Sequence, residues 1–531
     1  MKTKPAIVMA SLWLCASVFA QPQKHPKIAS ISVEAESQVN APDGVTPINQ
    51  YGGLSGLADE HSTILPPGTF PFQTDYLFMV ASHTSLQSNE AGLVVLRSIG
   101  LPDSNGQWTL DYSPGYGRYQ PSNPPGGQNG QLLLPAMAKA NCPGSVQDPT
   151  FDLNYAAPGT VFLDPTNPWD LGGGSLVMVY EGTNTCIGTT TTTHMDSHFY
   201  STLAIATSAD FGHTWPTYKA NFTPLPGANP SQGPMAELGA WGKDVCWGNF
   251  CSTINLLQPP PQFGRYAVSG PATSIASAIL DSPGGLQGDV GDSEPAAFVD
   301  DVHPGAPLYA YIVHVYEPGP FPADTPLPLG EPSGLAVSRI GLDGGLERLQ
   351  ATHWYGEKFE EPGLANAGGG HESPIFPNLH PSLEGYQHCL APTQRRSGAS
   401  ISYSEVTHEY VLIFVCLSQT DPVDQTGSLP TNVKFTGGAW FYSTMNADLF
   451  NLSNQDQWST PGEIQGSWAP HDTNPCANGE YLDGWYPSAM SLGAKPGHLN
   501  PDGYIFYMKG CIAAAGRTFS TRQFTLHMSE P

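Results

Sequence analysis

The sequence predicts an all-β fold, a β-propeller of four-stranded antiparallel blades, and three observations support it. Charged residues make up 12% of the 531 residues, against an ordinary share of about 25%. Gly (58) and Pro (52) are frequent, while 11 Trp, 22 Tyr and 22 Phe supply large apolar side chains. This composition excludes helical bundles and coiled coils. The third observation is a strand pattern that recurs along the chain.

The first 20 residues have the layout of a secretory signal peptide. Lys2 and Lys4 precede an apolar run over 6–19, and Ala20 ends it before a polar stretch. We therefore expect a secreted protein, extracellular or periplasmic. No later stretch approaches the roughly 18 apolar residues of a membrane span, so we expect no membrane insertion. Residues 21–50 are interpreted as an N-terminal extension and 51–531 as a single propeller domain.

A short apolar run, a turn-rich loop and a longer run of β-branched and aromatic residues recur five times. The pairs of runs are 62–65 with 76–82, 159–164 with 175–182, 295–300 with 307–317, 399–404 with 410–418, and 487–493 with 503–510. A third run follows four of them, at 93–100, 201–208, 334–341 and 439–445. Such meanders predict five radial blades, with six blades or a pair of β-sandwiches as the alternatives.

Two further segments bear on this architecture. A long Pro-rich insertion around 216–293 is typical of a wall or lid. The run 522–528 is a candidate for closing the ring onto the first blade.

Eight cysteines follow the signal segment, an even number that favours disulfides in an exported chain. Their order along the chain favours local pairs, such as Cys246 with Cys251.

One motif is specific. Its residues are Ser208, Asp210, Gly212, Thr214 and Trp215. Asp210 can accept hydrogen bonds across a tight turn, and Gly212 can adopt a positive φ. The motif resembles the Asp-box of sialidases and related propellers. This resemblance implies a structural turn on the face away from the active site, and no catalytic role for Asp210.

A sialidase would also carry an Arg-Ile-Pro and an arginine cluster, whereas this chain has no Arg-Ile-Pro and nine arginines. The five repeats instead resemble the five-bladed glycosidase propellers, which place three carboxylates on their innermost strands. That resemblance implies a carbohydrate substrate.

Antiparallel pairing places the start of each inner strand and the end of the next strand at one face of the ring. Ionisable residues gather at these positions. The candidate catalytic residues are Asp292, Glu294, Asp483, Glu181 and Glu317. The candidate substrate-binding residues are Glu60, His83, His314, Arg395, Arg396 and Trp485. Cleavage of a glycosidic bond needs one protonated and one ionised carboxyl group, which facing blades can supply.

The sequence therefore predicts a carbohydrate-active hydrolase that acts on an oligosaccharide or polysaccharide. Two alternatives stay open, a non-catalytic glycan-binding propeller and a polysaccharide lyase that uses His and Arg. With 46 acidic against 20 basic residues and a net charge of −26, the chain lacks the basic footprint of a nucleic-acid binder. We expect a monomer without a cofactor or catalytic metal, with a structural calcium ion as an alternative.

Overall fold

A computed structural model gives the placement of about half of the chain, all of it from residue 25 onward. The described residues are 25–52, 54, 57–58, 60–70, 73–83, 91–113, 116, 155–163, 176–184, 200–208, 211–212, 245–247, 250–252, 265–269, 290–303, 307–317, 334–342, 351–355, 358–362, 375–376, 396–419, 435–447, 457–467, 481–511 and 517–530.

The described chain begins with two strands, β1 (Lys27–Val33) and β2 (Ser37–Gln38), and a 3-10 turn at Ile48–Gln50. Blade one follows as an antiparallel meander. Its strands, from the inside outward, are β3 (Thr63–Leu65), β4 (Leu77–His83), β5 (Ala91–Ser98) and β6 (Leu110–Tyr112).

Blade two consists of β7, β8 and β9, and its outer strand comes from the Pro-rich insertion. The strands in this part of the chain are β7 (Tyr155–Leu163), β8 (Leu176–Asn184), β9 (Tyr200–Ser208), a separate hairpin of β10 (Val245–Trp247) and β11 (Phe250–Ser252), and the outer strand β12 (Arg265–Ser269). The hairpin register places the Cys246 and Cys251 backbones opposite each other. A disulfide between them stays a prediction.

Blade three carries one strand more than the others described so far. Its strands are β13 (Val290–Val299), β14 (Tyr309–Glu317), β15 (Gly334–Gly341), β16 (Ala351–Tyr355) and β17 (Lys358–Pro362). Blade four contains β18 (Arg396–Ser404), β19 (Glu409–Gln419), β20 (Phe435–Asn446) and β21 (Gly462–Glu463).

Blade five joins the two ends of the chain. Its part of the sequence forms β22 (Tyr481–Met490), β23 (His498–Leu499), β24 (Asp502–Cys511) and β25 (Thr518–Ser529). From the inside outward the blade runs β22, β24, β25 and then the N-terminal β1. The short β23 lies in the β22–β24 connection and pairs with β18 of blade four.

The five-bladed β-propeller predicted from the repeats is confirmed. Ring closure differs from the expectation, because the run 522–528 lies in β25 of blade five and pairs with β1 rather than with blade one. The outer edge of blade five is thus completed by residues that the sequence suggested were an extension.

The core lies in wedges between neighbouring blades. The blade five to blade one wedge centres on the fully buried Trp108, whose ring meets Tyr76, Phe78, Tyr504 and Phe506 edge-on with centroids 5.3–5.6 Å apart. Comparable apolar clusters fill the junctions around the rest of the ring. Each blade therefore buries both faces, which holds the inner strands at fixed positions around the channel.

Within the described residues, no helix has the length and apolar character needed to cross a bilayer.

Candidate active site

The inner strands β3, β7, β13, β18 and β22 begin at the same end of the ring. We call this end of the channel the mouth and define it by residues 60–62, 181, 293–295, 398 and 483–488. Four buried carboxyl groups from four blades lie there. Their exposed fractions are 1% for Glu60, 5% for Glu181, 3% for Glu294 and 5% for Asp483.

Glu294 links three blades through hydrogen bonds. Its backbone N–H donates to Oε2 of Glu181 on blade two at 3.0 Å. Its own Oε2 accepts the backbone N–H of Gly398 on blade four at 2.6 Å. Backbone donors fix the orientation of both carboxylates and offset part of the cost of burying them.

The backbone explains how these side chains reach the mouth. Inner strands β13, β18 and β22 each carry a break in register near the mouth, typical of a β-bulge. The residue within each bulge is left-handed, with φ of 56° at Glu294, 53° at Gly398 and 54° at Tyr486. For a non-glycine residue this conformation costs on the order of 1–3 kcal/mol. Bulges often re-aim side chains beside functional sites.

Blade five contributes aromatic rings. Trp485 and Tyr486 are stacked with centroids 5.4 Å apart, and the His61 ring of blade one meets Tyr486 edge-on at 5.7 Å. The backbone N–H of Ser62 donates to Ser488 Oγ at 2.9 Å, which closes the contacts around the mouth from blade five to blade one. Both Trp485 and Tyr486 are more than nine-tenths buried, so most of their surface packs against protein.

His61 is a neutral imidazole at the mouth. Burial lowers the pKa of His61 to about 3, although the nearby backbone carbonyl of Pro487 acts in the opposite direction. A neutral imidazole is both a hydrogen-bond donor and an acceptor. His61 therefore adds no positive charge to a mouth that is rich in carboxyl groups.

Asp483 lies beside the ammonium group of Lys509 on the neighbouring strand β24. Lys509 Nζ lies 3.9 Å from Asp483 Oδ2 and 2.6 Å from Glu36 Oε2, and the Ser520 hydroxyl donates to Glu36 Oε1 at 2.9 Å. Burial opposes ionisation of Glu36, but the hydrogen bond and charge of Lys509 outweigh it and lower the pKa of Glu36. The N-terminal segment thus fixes the cation that stands beside a mouth carboxylate.

The structure gathers five of the predicted site residues at the mouth. These are Glu60, Glu181, Glu294, Asp483 and Trp485. His314 is buried in blade three, where Nε2 lies 3.0 Å from Ser338 Oγ and alternation along β14 turns its side chain to the face that packs on blade two.

For several predicted residues only the strand position is described. These are Asp292 on β13, Glu317 on β14, His83 on β4, Arg396 on β18 and Ser208 on β9. Gly212 has φ of 86° in a turn. Arg395, Asp210, Thr214 and Trp215 lie outside the described residues, so the Asp-box stays a prediction.

Sequence reasoning missed Gly398 and Glu36. A glycine inside a strand run is a known signal of a bulge or of close backbone approach, and it could have identified Gly398. No local signal marks Glu36, because its partner Lys509 lies 473 residues away along the chain.

The sequence matches no protein-family model and no curated protein. Among solved structures, an endo-1,5-alpha-L-arabinanase from Thermotoga petrophila is similar with a TM-score of 0.34 and 11% identity, over 90% of this chain and 72% of that one. A levansucrase from B. subtilis gives a TM-score of 0.41 and 8% identity, over 90% and 85% of the two chains. An alpha-L-arabinofuranosidase from Lactobacillus brevis gives 0.34 and 8%, over 90% and 92%. Likeness at this level carries no conclusion about activity, which must come from the mouth residues.

Proposed function

We propose that the protein is an exported carbohydrate-active hydrolase that cleaves a glycosidic bond of an oligosaccharide or polysaccharide at the mouth. The observation that carries this proposal is the convergence of Glu60, Glu181, Glu294 and Asp483, four buried carboxyl groups from four blades. Only 12% of the residues are charged, so this clustering is a departure from the rest of the chain. Burying several carboxyl groups together is costly and is common at acid–base sites.

The arrangement suggests how the roles are divided. Asp483 faces the Lys509 ammonium, and we assign it the role of base or nucleophile. The acid that protonates the leaving oxygen is one of the three glutamates. The backbone hydrogen bonds of Glu181 and Glu294 hold their carboxyl groups in one orientation, as proton transfer to a bound sugar requires.

The aromatic pair argues against a purely glycan-binding role. A sugar-binding platform needs an exposed ring face, whereas Trp485 and Tyr486 are nearly buried.

The test is to incubate the purified protein with neutral, uronate-containing and sialylated glycans, and to measure new reducing ends and ultraviolet absorbance. We expect reducing ends without absorbance. Glu294→Gln keeps an oxygen that can accept from Gly398, and Asp483→Asn keeps the side-chain shape, so both should fold and lose about 10²-fold or more in turnover.

Matched controls are Glu530→Gln, exposed near the C-terminus, and Asp75→Asn, whose partly exposed carboxylate lies 3.6 Å from Arg97. Neither should change turnover. Absorbing products would indicate a lyase. Binding without any product, or full turnover in both mouth variants, would contradict the proposed hydrolase.

A further inference from the structure

A second group of ionisable side chains joins three blades at the face opposite the mouth. Asp301 follows β13 of blade three, Glu405 follows β18 of blade four, and His498 begins β23 in the blade five connection. His498 Nδ1 lies 2.6 Å from Glu405 Oε1, and Nε2 lies 2.9 Å from Asp301 Oδ1. One imidazole ring therefore bridges the carboxylates of two other blades.

This geometry determines the protonation form that fits the site. A carboxylate oxygen only accepts hydrogen bonds, so each ring nitrogen must donate. A neutral imidazole has a single N–H, whereas an imidazolium has two. The His498 side chain is 3% exposed and lies beneath the Tyr403 and Phe298 rings, with centroids 5.4 and 6.0 Å away. The ring itself is therefore shielded from solvent, whereas the Asp301 and Glu405 carboxylates are partly exposed.

The backbone contact between blades four and five lies beside the same ring. The N–H of Tyr403 donates to the Gly497 carbonyl at 2.9 Å, and the N–H of Glu405 donates to the Leu499 carbonyl at 3.1 Å. These two hydrogen bonds flank His498 and hold β23 against β18. Opening of the His498 contact should therefore expose these two amides.

The other charged groups near His498 come from all three blades. Lys495 Nζ lies 3.0 Å from Asp301 Oδ2, and it is largely exposed. His408 of the blade four hairpin packs on Tyr403 and stacks on His25 at 3.7 Å. A neighbouring cluster of polar side chains lies between blades three and four and consists of Asp300, His303 and Tyr410. Its His303 ring lies 3.0 Å from Asp300 and 2.7 Å from the Ala447 carbonyl.

The hydrogen bond to His498 has the largest effect on the pKa of Asp301 and lowers it. Burial acts in the opposite direction, but the hydrogen bond to Lys495 lowers the pKa further, to about 2. A depressed carboxyl pKa adds stability above the ordinary value near 3.8, and that stability is lost as the pH falls through 2. Above that acid limit Asp301 carries the negative charge that its contacts with His498 and Lys495 require.

We propose that His498 is a protonation-dependent clasp that ties blades three, four and five together when it is an imidazolium and loosens the blade four to blade five contact when it is neutral. Loss of the proton removes the hydrogen bond of one ring nitrogen to Asp301 or Glu405 and takes one positive charge from between these two carboxylates. The clasp lies away from the mouth and does not depend on the proposed hydrolase activity.

The test is hydrogen exchange of the full chain between pH 5.5 and 8.5, followed in peptides that contain the Tyr403 and Glu405 amides and corrected for the intrinsic pH dependence of exchange. We expect protection to fall about tenfold or more across this range in the wild type. In His498→Gln the amide nitrogen donates at every pH, but the other amide atom is an oxygen that only accepts, so protection should start lower and change less than about threefold.

His303→Gln is the matched control, because His303 bridges Asp300 of blade three and the Ala447 carbonyl of blade four. It should keep the wild-type pH response of the two amides. If His498→Gln fails to fold, Glu405→Gln replaces it, because the Glu405 carboxylate is half-exposed and its loss is easier to tolerate. We then expect the protection of the two amides to change less with pH than in the wild type. The proposal is overturned if wild-type protection does not change with pH, or if the response survives in the folded variant.

Discussion

Gly398 shows how one residue can serve both the fold and the site. Its φ of 53° lies in the left-handed region, and its N–H donates to Glu294. A Cβ at this position would lie 2.9 Å from the backbone nitrogen of Tyr486. Because that neighbour is backbone, it cannot rotate away, and only glycine fits without displacing the next blade.

Gly398→Ala should therefore destabilise the protein by more than the left-handed conformation alone would. The control is Gly493→Ala, at φ of 73°, where an added Cβ meets no described atom within 4 Å. We expect the control to lose about 1–2 kcal/mol of unfolding free energy. Gly398→Ala should lose at least about 1 kcal/mol more, because the added methyl is also crowded. Equal losses in urea unfolding would show that blade five tolerates the methyl group.

Sequence reasoning pointed to residues that are chemically rare. Charged residues at predicted strand ends are few, and Glu181, Glu294 and Asp483 are buried at the mouth, while their catalytic role stays a prediction. The sequence could not give the side-chain direction of His314, which turns to the face of β14 that packs on blade two, and its role in substrate binding stays a prediction. That direction depends on register and bulges, and a shift of one residue reverses the face.

Among the elements, inner and middle strands were predictable while outer strands were not. Residues 410–415, for example, form an unbroken apolar run because both faces of β19 are buried there. The outer strands β6 and β21 have three and two residues, too few to show a pattern. The closing strand β1 pairs with β25 across almost the whole chain, which no local periodicity can reveal.

The closing strand β1 should carry measurable stability. Ile31 is fully buried, and the N–H of Ile28 donates to Glu409 of blade four at 2.9 Å. Ile31→Ala should therefore cost about 2–5 kcal/mol of unfolding free energy. Lys27→Ala, exposed on the same strand, should change it by less than about 0.5 kcal/mol. A negligible effect of Ile31→Ala in denaturant unfolding would mean that blade five is stable without its outer strand.

At the scale of the whole molecule, side-chain oxygens that accept backbone N–H groups join neighbouring blades. Thr63 Oγ1 accepts the Val161 N–H at 2.7 Å, Thr160 Oγ1 accepts the Ala297 N–H at 3.0 Å, and Ser488 completes the ring to Ser62. Glu294 performs the same role between blades three and four. Interblade attraction is therefore local and directional, since it consists of hydrogen bonds and packed wedges rather than of long-range charge complementarity.

The net charge of −26 acts against these contacts over the whole molecule. Like charges repel across the compact state, and dissolved salt screens them over roughly 10 Å at 0.1 M. At pH 7.5 we expect the thermal midpoint to rise on the order of 2 °C or more between 20 and 300 mM NaCl, which for a chain of this length corresponds to about 2 kcal/mol.

The control for this salt effect is the same titration near pH 4.8, the sequence pI, where the net charge is close to zero. There the salt effect should be largely absent. An equal rise at both pH values would indicate a general effect of salt on apolar burial, because that effect does not depend on net charge. A fall at pH 7.5 would mean that favourable ion pairs such as that of Lys509 with Glu36 outweigh the overall repulsion.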